Sequence, residues 1–254
     1  MAWNPDTYNK FKSERFEPFY DLLKLVNVRP GLEVIDLGCG TGELTRILAD
    51  TLPSSRVLGI DASQEMLNDS KSFENEQVSF ECITIEEQLN SDKKWDLVFS
   101  NAAIQWVEDH KTLFPRIISG IKAEGQLLVQ IPDQKQNISN KILNDLADQD
   151  PFKTIFLGWK RISPVLDIDA YAQILFENGS TSMTVFEKIY PLVLQDSNAL
   201  FDWVSGTALI PYLEKLDGFN KQNFIDKYKI LLQSNFDKSP VFYPFKRIII
   251  EAKF

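Results

Sequence analysis

The chain has 254 residues, 44% hydrophobic and 25% charged, which is enough apolar material for an α/β domain with a large core and excludes a disordered chain. Its net charge of −9 argues against a nucleic-acid partner, because displacing the counterions of a polyanion needs a basic surface. One histidine and two distant cysteines exclude a multi-histidine metal site and a structural zinc site, so no metal is expected.

Taken in chain order, residues 21–26 are an apolar-rich helical segment and 32–37 read as a buried parallel strand, a β-branched run bounded by glycines. Residues 43–52 have helical periodicity, with Leu44, Ile47 and Leu48 on one face. Residues 56–60 form a second strand, and Ser63 caps a helix running to about residue 73. Strands follow at 78–83 and 95–100, a helix at 112–121, and a fifth strand at 125–131 that Pro132 ends. This alternation predicts a parallel sheet with helices on both faces.

Beyond Pro132, residues 138–146 and 168–177 read as helices and 184–193 as a sheet-edge strand. Residues 198–216 and 219–234 are amphipathic and mostly helical, and 240–254 are β-rich with an apolar heart at 247–250. No linker separates a C-terminal domain. The expectation is one domain over 1–254, with a ligand-binding core at 30–133, helical insertions at 134–181 and 197–236, and the last strands at 182–193 and 241–254. No apolar run reaches the ~20 residues that span a bilayer, and residues 1–10 lack the regions of a signal peptide, so a cytoplasmic protein without membrane contact is expected.

The strongest motif is Val34-Ile-Asp36-Leu-Gly38-Cys39-Gly40-Thr41-Gly42, between a strand and a helix. Glycines there let the backbone turn sharply and approach a ligand. The Gly-x-Gly-x-Gly spacing differs from the dinucleotide fingerprint, and Asp36 would repel a pyrophosphate but suits a cofactor carrying an ammonium group. Asp61 ends the second strand about 20 residues on, where an acidic side chain accepts bonds from ribose hydroxyls; it is equally placed to cap the helix at Ser63. Asn101 ends the fourth strand. Ligands of open α/β sheets bind at the carboxyl ends of strands, and Asp36, Asp61 and Asn101 all fall there.

These residues, with Ile60-Asp61-Ala62-Ser63, residues 95–101 and residues 125–131, resemble the class I S-adenosylmethionine-dependent methyltransferases over roughly 34–132. The resemblance implies a Rossmann-like, seven-stranded, mostly parallel sheet with a helical insertion or lid in the C-terminal half. It also implies that Gly38 and Gly40 pass beneath S-adenosylmethionine, that Asp61 holds its ribose, and that Asn101 lies near its methionine portion. Further motifs run over almost the whole chain: Trp3-Asn4-Pro5, Tyr8, Phe11 and Arg15, Gln105-Trp106 with Asp109-His110, Gln130-Ile-Pro132-Asp133, Trp203 to Tyr212, and Tyr243-Pro244-Phe245-Lys246-Arg247. Together they give a narrower resemblance, to the trans-aconitate 2-methyltransferases. Such enzymes esterify a small polycarboxylate and release S-adenosylhomocysteine.

The cofactor residues implied are Tyr8, Arg15, Asp36, Gly38, Gly40, Asp61, Ala62, Met66, Thr84, Ile85 and Asn101. Thr84 stands where the family often has an aspartate for the adenine amino group, which leaves adenine to Thr84, backbone groups or Glu86. Ile210 stands where an arginine is expected in the Gly-Thr-x-x-x-Pro stretch, which bears on a polyanionic acceptor. A carboxylate is ionised at neutral pH, so no catalytic base is required and orientation dominates. Gln105, Trp106, Arg161, Tyr212 and Arg247 are the acceptor candidates, guanidinium forks matching carboxylates, although each arginine taken singly also fits an ion pair at the surface. His110 fits a base for a hydroxyl or amine acceptor, or the start of the following helix. Trp203 fits a packing stripe or a lid, and Cys39 a small buried filler. Two further readings stand beside a trans-aconitate-type enzyme: a carboxyl methyltransferase for a malonyl thioester or hydrophobic acid, and a non-catalytic cofactor-binding subunit.

Overall fold

The computed structural model describes the backbone of residues 12–133 and 135–254, and the side chains from residue 16 onward except residue 134. Seven short apolar runs become strands: β1 (Glu33–Leu37), β2 (Arg56–Asp61), β3 (Val78–Cys82), β4 (Trp95–Asn101), β5 (Ile121–Pro132), β6 (Ser182–Leu194) and β7 (Val241–Lys253). They form one sheet in the order β3-β2-β1-β4-β5-β7-β6. The pairs among β1 to β5 are parallel, and β7 runs antiparallel to β5. β6 is an edge strand, as its position in the sequence pattern predicts.

The helices are α1 (Lys12–Leu23), α2 (Glu43–Asp50), α3 (Gln64–Leu67), α4 (Ile85–Gln88), α5 (His110–Ser119), α6 (Ile138–Ala147), α7 (Phe152–Ile155), α8 (Ile168–Glu177), α9 (Ser197–Ser205), α10 (Ile210–Leu213) and α11 (Gly218–Asn235). Among the described residues, none is long and apolar enough to cross a membrane.

The chain divides into two compact units. The sheet unit comprises Glu17–Pro132, Pro164–Lys188 and Arg247–Phe254. Strand side chains alternate between faces, and here both faces are covered. Ile35, Val98, Leu127, Val129, Ile248 and Ile250 pack with Leu113, Phe114 and Ile117 of α5 and Tyr171 and Leu175 of α8. Val34, Leu97, Phe99, Leu128 and Ile249 face the other way, onto Phe19 and Leu22 of α1 and Leu48 and Ala49 of α2. Apolar residues on both sides of each strand are what a helix-covered parallel sheet requires.

The second unit includes Asp133–Ser163 and Ile189–Lys246. Its core is aromatic, with Tyr212 stacked on Phe224, whose edge meets Phe152 and Phe156, and with Trp203 edge-on to Phe245. Ser139 ties it together: its hydroxyl pairs with Tyr243 Oη at 2.8 Å, and its carbonyl accepts from Tyr228 Oη.

The helical segment expected at residues 21–26 is instead α1, Lys12–Leu23, and the short helices α4 and α7 are additional to the sequence reading. Three more elements differ for local reasons. The helix expected from Ser63 to about residue 73 is two pieces, α3 and a 3-10 turn at Ser70–Phe73. Ser63 does cap it, accepting from Met66 N–H, but Ser70 Oγ takes the Leu67 carbonyl at 2.7 Å and competes with helix continuation. β5 starts at Ile121 rather than Gly125, because Ile121 pairs with Trp95 ahead of a register shift, with Glu124 at φ 63°. The helical stretch at 198–216 breaks at Gly206 into α9 and α10.

Phe99 is fully buried at the centre of the sheet, its ring edge-on to Phe19. Phe99→Ala should therefore lower unfolding free energy by about 3–5 kcal/mol in a urea titration, whereas a loss under 1 kcal/mol would show that α1 does not close this face.

Candidate active site

β1 ends in Asp36-Leu37 and the chain turns through the glycine loop into α2. Gly38 N–H and Cys39 N–H both donate to the Ile60 carbonyl, at 2.8 and 2.9 Å. Gly40 N–H donates to Asp61 Oδ2 at 2.9 Å, and Asp61 Oδ1 accepts from Ser63 N–H at 2.9 Å. One carboxylate at the tip of β2 thus fixes both the loop and the start of α3. Gly38 is held at φ 80°, and a Cβ there would lie 2.1 Å from the Ala103 Cβ, so the turn after β4 comes down onto a position only glycine can fill. Ala103 in turn follows Ala102, itself at φ 55° with its N–H on the Gln130 carbonyl.

Five polar side chains lie at the strand tips on the face that carries Val34, Phe99, Leu128 and Ile249. Asp36 pairs with Gly59 on one side and Phe99 on the other, which sets Asp61 and Asn101, each two residues on, on that same face. Asn101 pairs with Gln130, Gln130 with Ile249, and Arg247 is two residues from Ile249. Across β2, β1, β4, β5 and β7 the row reads Asp61, Asp36, Asn101, Gln130, Arg247.

Asp36 is 4% exposed and accepts from Thr45 Oγ1 at 2.6 Å. Burial, opposed by that hydrogen bond and reinforced by the charge of Asp61, raises its carboxyl from 3.8 to about 7. The Asn101 Oδ1 atom is buried with no hydrogen-bond partner among the described residues. Arg247 is 5% exposed and donates from Nη1 to Gln130 Oε1 at 3.3 Å. Thr45 and Gln130 were not anticipated as site residues. Gln130 had a sequence signal, a polar residue inside the apolar run before Pro132; Thr45 had none beyond its place one turn into α2.

The other expected residues are distributed as follows. Ala62 is exposed beside Asp61, and Met66 lies on α3 with its Cε 3.5 Å from where a Gly40 Cβ would stand. Thr84 caps α4 in a reciprocal box: its N–H and Oγ1 both donate to Glu87 Oε2, and Glu87 N–H donates to Oγ1. Ile85 is a core residue of the sheet unit. Gln105 donates from Nε2 to the Ala102 carbonyl at 2.6 Å, and Trp106 is 49% exposed on the same 3-10 turn. In the second unit, Tyr212 is buried; its hydroxyl donates to Asn144 Oδ1 at 2.7 Å and accepts from the Arg161 backbone N–H. Tyr8 and the Arg15 side chain lie outside the described residues.

His110 is the first residue of α5, with Asp109 as the cap. Its ring is buried, which lowers its pKa. The Ile104 carbonyl only accepts, so His110 Nε2–H donates to it at 3.1 Å, and Nδ1 of the neutral ring accepts from Tyr171 Oη at 2.5 Å; Tyr171 Oη in turn accepts from Leu166 N–H. The imidazole ties down the turn that carries Gln105 and Trp106 rather than facing a ligand as a base. Cys39 is equally unsuited to reaction, since burial and then the charges of Asp36 and Asp61 push its thiol far up. Among the described residues no cluster of three or more His, Cys, Asp or Glu could hold a metal.

A family described as a methyltransferase domain matches residues 29–175. A trans-aconitate 2-methyltransferase of Deinococcus radiodurans is 40% identical over 99% of this chain and 98% of its own. The YcgJ protein of Bacillus subtilis superposes with a TM-score of 0.61 at 16% identity, over 93% of this chain and 97% of its own. Phosphoethanolamine N-methyltransferase 2 of Haemonchus contortus, crystallised with phosphomonomethylethanolamine and S-adenosylhomocysteine, gives 0.59 at 16% identity, over 99% of this chain and 58% of its own. At these identities the two structures share the fold.

The raised carboxyl of Asp36 has a sign that can be measured. Without ligand, the folded protein keeps a proton on Asp36 that the unfolded chain releases near 3.8, so stability falls as pH rises from there to about 7 and is level above. Asp36→Asn keeps an acceptor for Thr45 and removes this slope. Its stability relative to the parent should grow by roughly 1.4 kcal/mol per pH unit across that window, reaching about 4 kcal/mol at pH 8. A difference constant with pH would mean that Asp36 titrates as an ordinary carboxylate.

Proposed function

Since the chain belongs to the class I S-adenosylmethionine-dependent methyltransferases, we propose that it methylates a carboxylate oxygen of a small polycarboxylic acid of the trans-aconitate kind, forming a methyl ester. The observation that carries this reading is the order of charge along the strand tips. Two carboxylates stand at the β2–β1 end, two amides follow on β4 and β5, and a buried guanidinium closes the row on β7. From β1 to β7 is three strand intervals, about 14 Å at roughly 4.8 Å each. A cationic ligand is favoured at one end and an anionic one at the other.

The residues present fit S-adenosylmethionine. The Asn101 Oδ1 atom, buried with no partner among the described residues, is an acceptor awaiting a donor, and at Gly40 a Cβ would meet nothing among those residues nearer than the Met66 Cε at 3.5 Å, so the loop leaves open space there. When bound, the cofactor supplies an electrophilic methyl group and departs as S-adenosylhomocysteine. Asp36 would hold the ammonium end, with Gly38 and Gly40 beneath. Each Asp61 oxygen keeps a second lone pair after its backbone bond, enough for the ribose hydroxyls. Ala62 and Met66 flank that position. The Thr84 hydroxyl is occupied by its capping box, so adenine falls to backbone groups near Thr84 and Ile85. Tyr8 and Arg15 complete the set that the resemblance implies.

The acceptor needs no base from the chain, because its carboxylate is ionised at neutral pH. Arg247, Gln105 and Trp106 then serve to orient it and to exclude water, and orientation supplies the rate enhancement. The enzyme works in this reading in the cytoplasm on a small acid, without a nucleic-acid or membrane partner.

The test is transfer of tritiated methyl from S-adenosylmethionine to a panel of trans-aconitate, a malonyl thioester and a fatty acid. Base-labile label on trans-aconitate is expected. Label only on another acid would replace the acceptor, and no label at all with cofactor binding intact would favour a non-catalytic subunit. Asp61→Ala should weaken cofactor binding by about 1.5–3 kcal/mol, the range for hydrogen bonds to a charged group. Arg247→Ala should raise the acceptor KM and leave cofactor affinity alone; the reverse pattern would move Arg247 to the cofactor.

A further inference from the structure

We propose that Gln130 binds the acceptor's carboxylate, as a neutral N–H donor set beside the Arg247 guanidinium. The inference rests on the carboxyl methyltransferase reading and adds to it a residue that selects the substrate.

β5 carries two buried glutamines on one face, Gln126 and Gln130. Gln126 is fully used within the fold. Its Oε1 accepts from Asn27 N–H, and its Nε2 donates to the Leu25 carbonyl and to Glu251 Oε1. Gln130 is different. It is 0% exposed and its oxygen accepts from Arg247. A guanidinium has only donors, so the oxygen must face it, and this fixes which way the amide lies. The Nε2 group then has no partner among the described residues.

An interior amide donor is ordinarily satisfied, because leaving it bare costs free energy. The fold had an available remedy. Asn101, the residue paired directly with Gln130 across β4 and β5, carries a buried oxygen that also has no partner among the described residues. The two complementary groups do not bond to each other. The donor and the acceptor are both kept open at the strand tips, where ligands of open α/β sheets bind. Asn101 offers an acceptor on β4. Gln130, its oxygen turned to Arg247, offers its N–H donors from the next strand. N–H groups beside a guanidinium fork are complementary to a carboxylate, and charge assistance from Arg247 strengthens such a contact.

The test compares the full-length wild type with Gln130→Ala and the isosteric Gln130→Glu. For Q130A, the KM for trans-aconitate should rise about ten- to a hundred-fold, with S-adenosylmethionine affinity within two-fold of wild type. Q130E should be more damaging, because it replaces the donor with an anion that claims Arg247 and opposes the substrate. If Q130A loses its thermal transition, Q130E is read alone by the same criteria. An unchanged KM overturns the proposal and leaves Nε2 to a water molecule. A parallel loss of cofactor affinity also overturns it and assigns Gln130 to the cofactor or the framework. A wild type that binds cofactor but esterifies no acid is failure of the functional reading instead. Titration of tricarballylate into S-adenosylhomocysteine-loaded wild type and Q130E still decides in that case, since equal affinity overturns the role of Gln130.

Discussion

Three consecutive backbone N–H groups of the glycine loop end on the last two residues of β2. Gly38 and Cys39 share the Ile60 carbonyl, and Gly40 takes one oxygen of Asp61, whose other oxygen starts α3. Because these bonds hold the loop in positive φ, Gly38 can lie under Ala103, and the end of β4 is drawn down to the same level. The loop also sets where α2 begins, and one turn into α2 the Thr45 hydroxyl reaches back to Asp36. Loosening the β2 tip would therefore disturb Asp36, the loop and the β4 turn together.

On this frame the sheet unit holds polar groups that its own interior does not fully use. A carboxyl whose pKa burial raises to about 7, and an amide oxygen on β4 and an amide donor on β5 without partners among the described residues, each cost stability. Gln126, four residues earlier on the same face and fully bonded, shows that the same strand can satisfy a buried glutamine. The order of charge across the row, negative to positive, is what the proposed function rests on: a cationic cofactor at one end, an anionic acceptor at the other, and no titrating catalytic base. His110 contributes at a distance: with Tyr171 and Leu166 it clamps the turn that follows Asn101.

The parts of this site that depend on local spacing were legible in the sequence. The run from Asp36 to Gly42, the acidic residue ending β2 and the asparagine ending β4 are each marked by neighbours within a few positions. The fold followed from the same signals, since apolar runs of strand length alternate with helical periodicity. What escaped was set by partners far along the chain. Nothing near Gln130 announces Arg247, 117 positions away, and nothing near His110 announces Tyr171, 61 away. Thr84 has a local partner instead. Its capping-box partner Glu87 is only three residues on, yet a family position suggested an adenine contact for a hydroxyl that the helix start consumes. The break after α3 and the early start of β5 likewise come from side-chain and register details that periodicity does not resolve.

The most direct test of the proposed arrangement, a cation at one end of the row and a carboxylate at the other, is a sequential calorimetric titration. S-adenosylhomocysteine is added first to saturation, then trans-aconitate. The account predicts two saturable 1:1 events, the second present in the wild type and much weakened in Arg247→Ala, with the first unchanged. Absence of the first event, or an acid that binds equally well to both proteins, would contradict it.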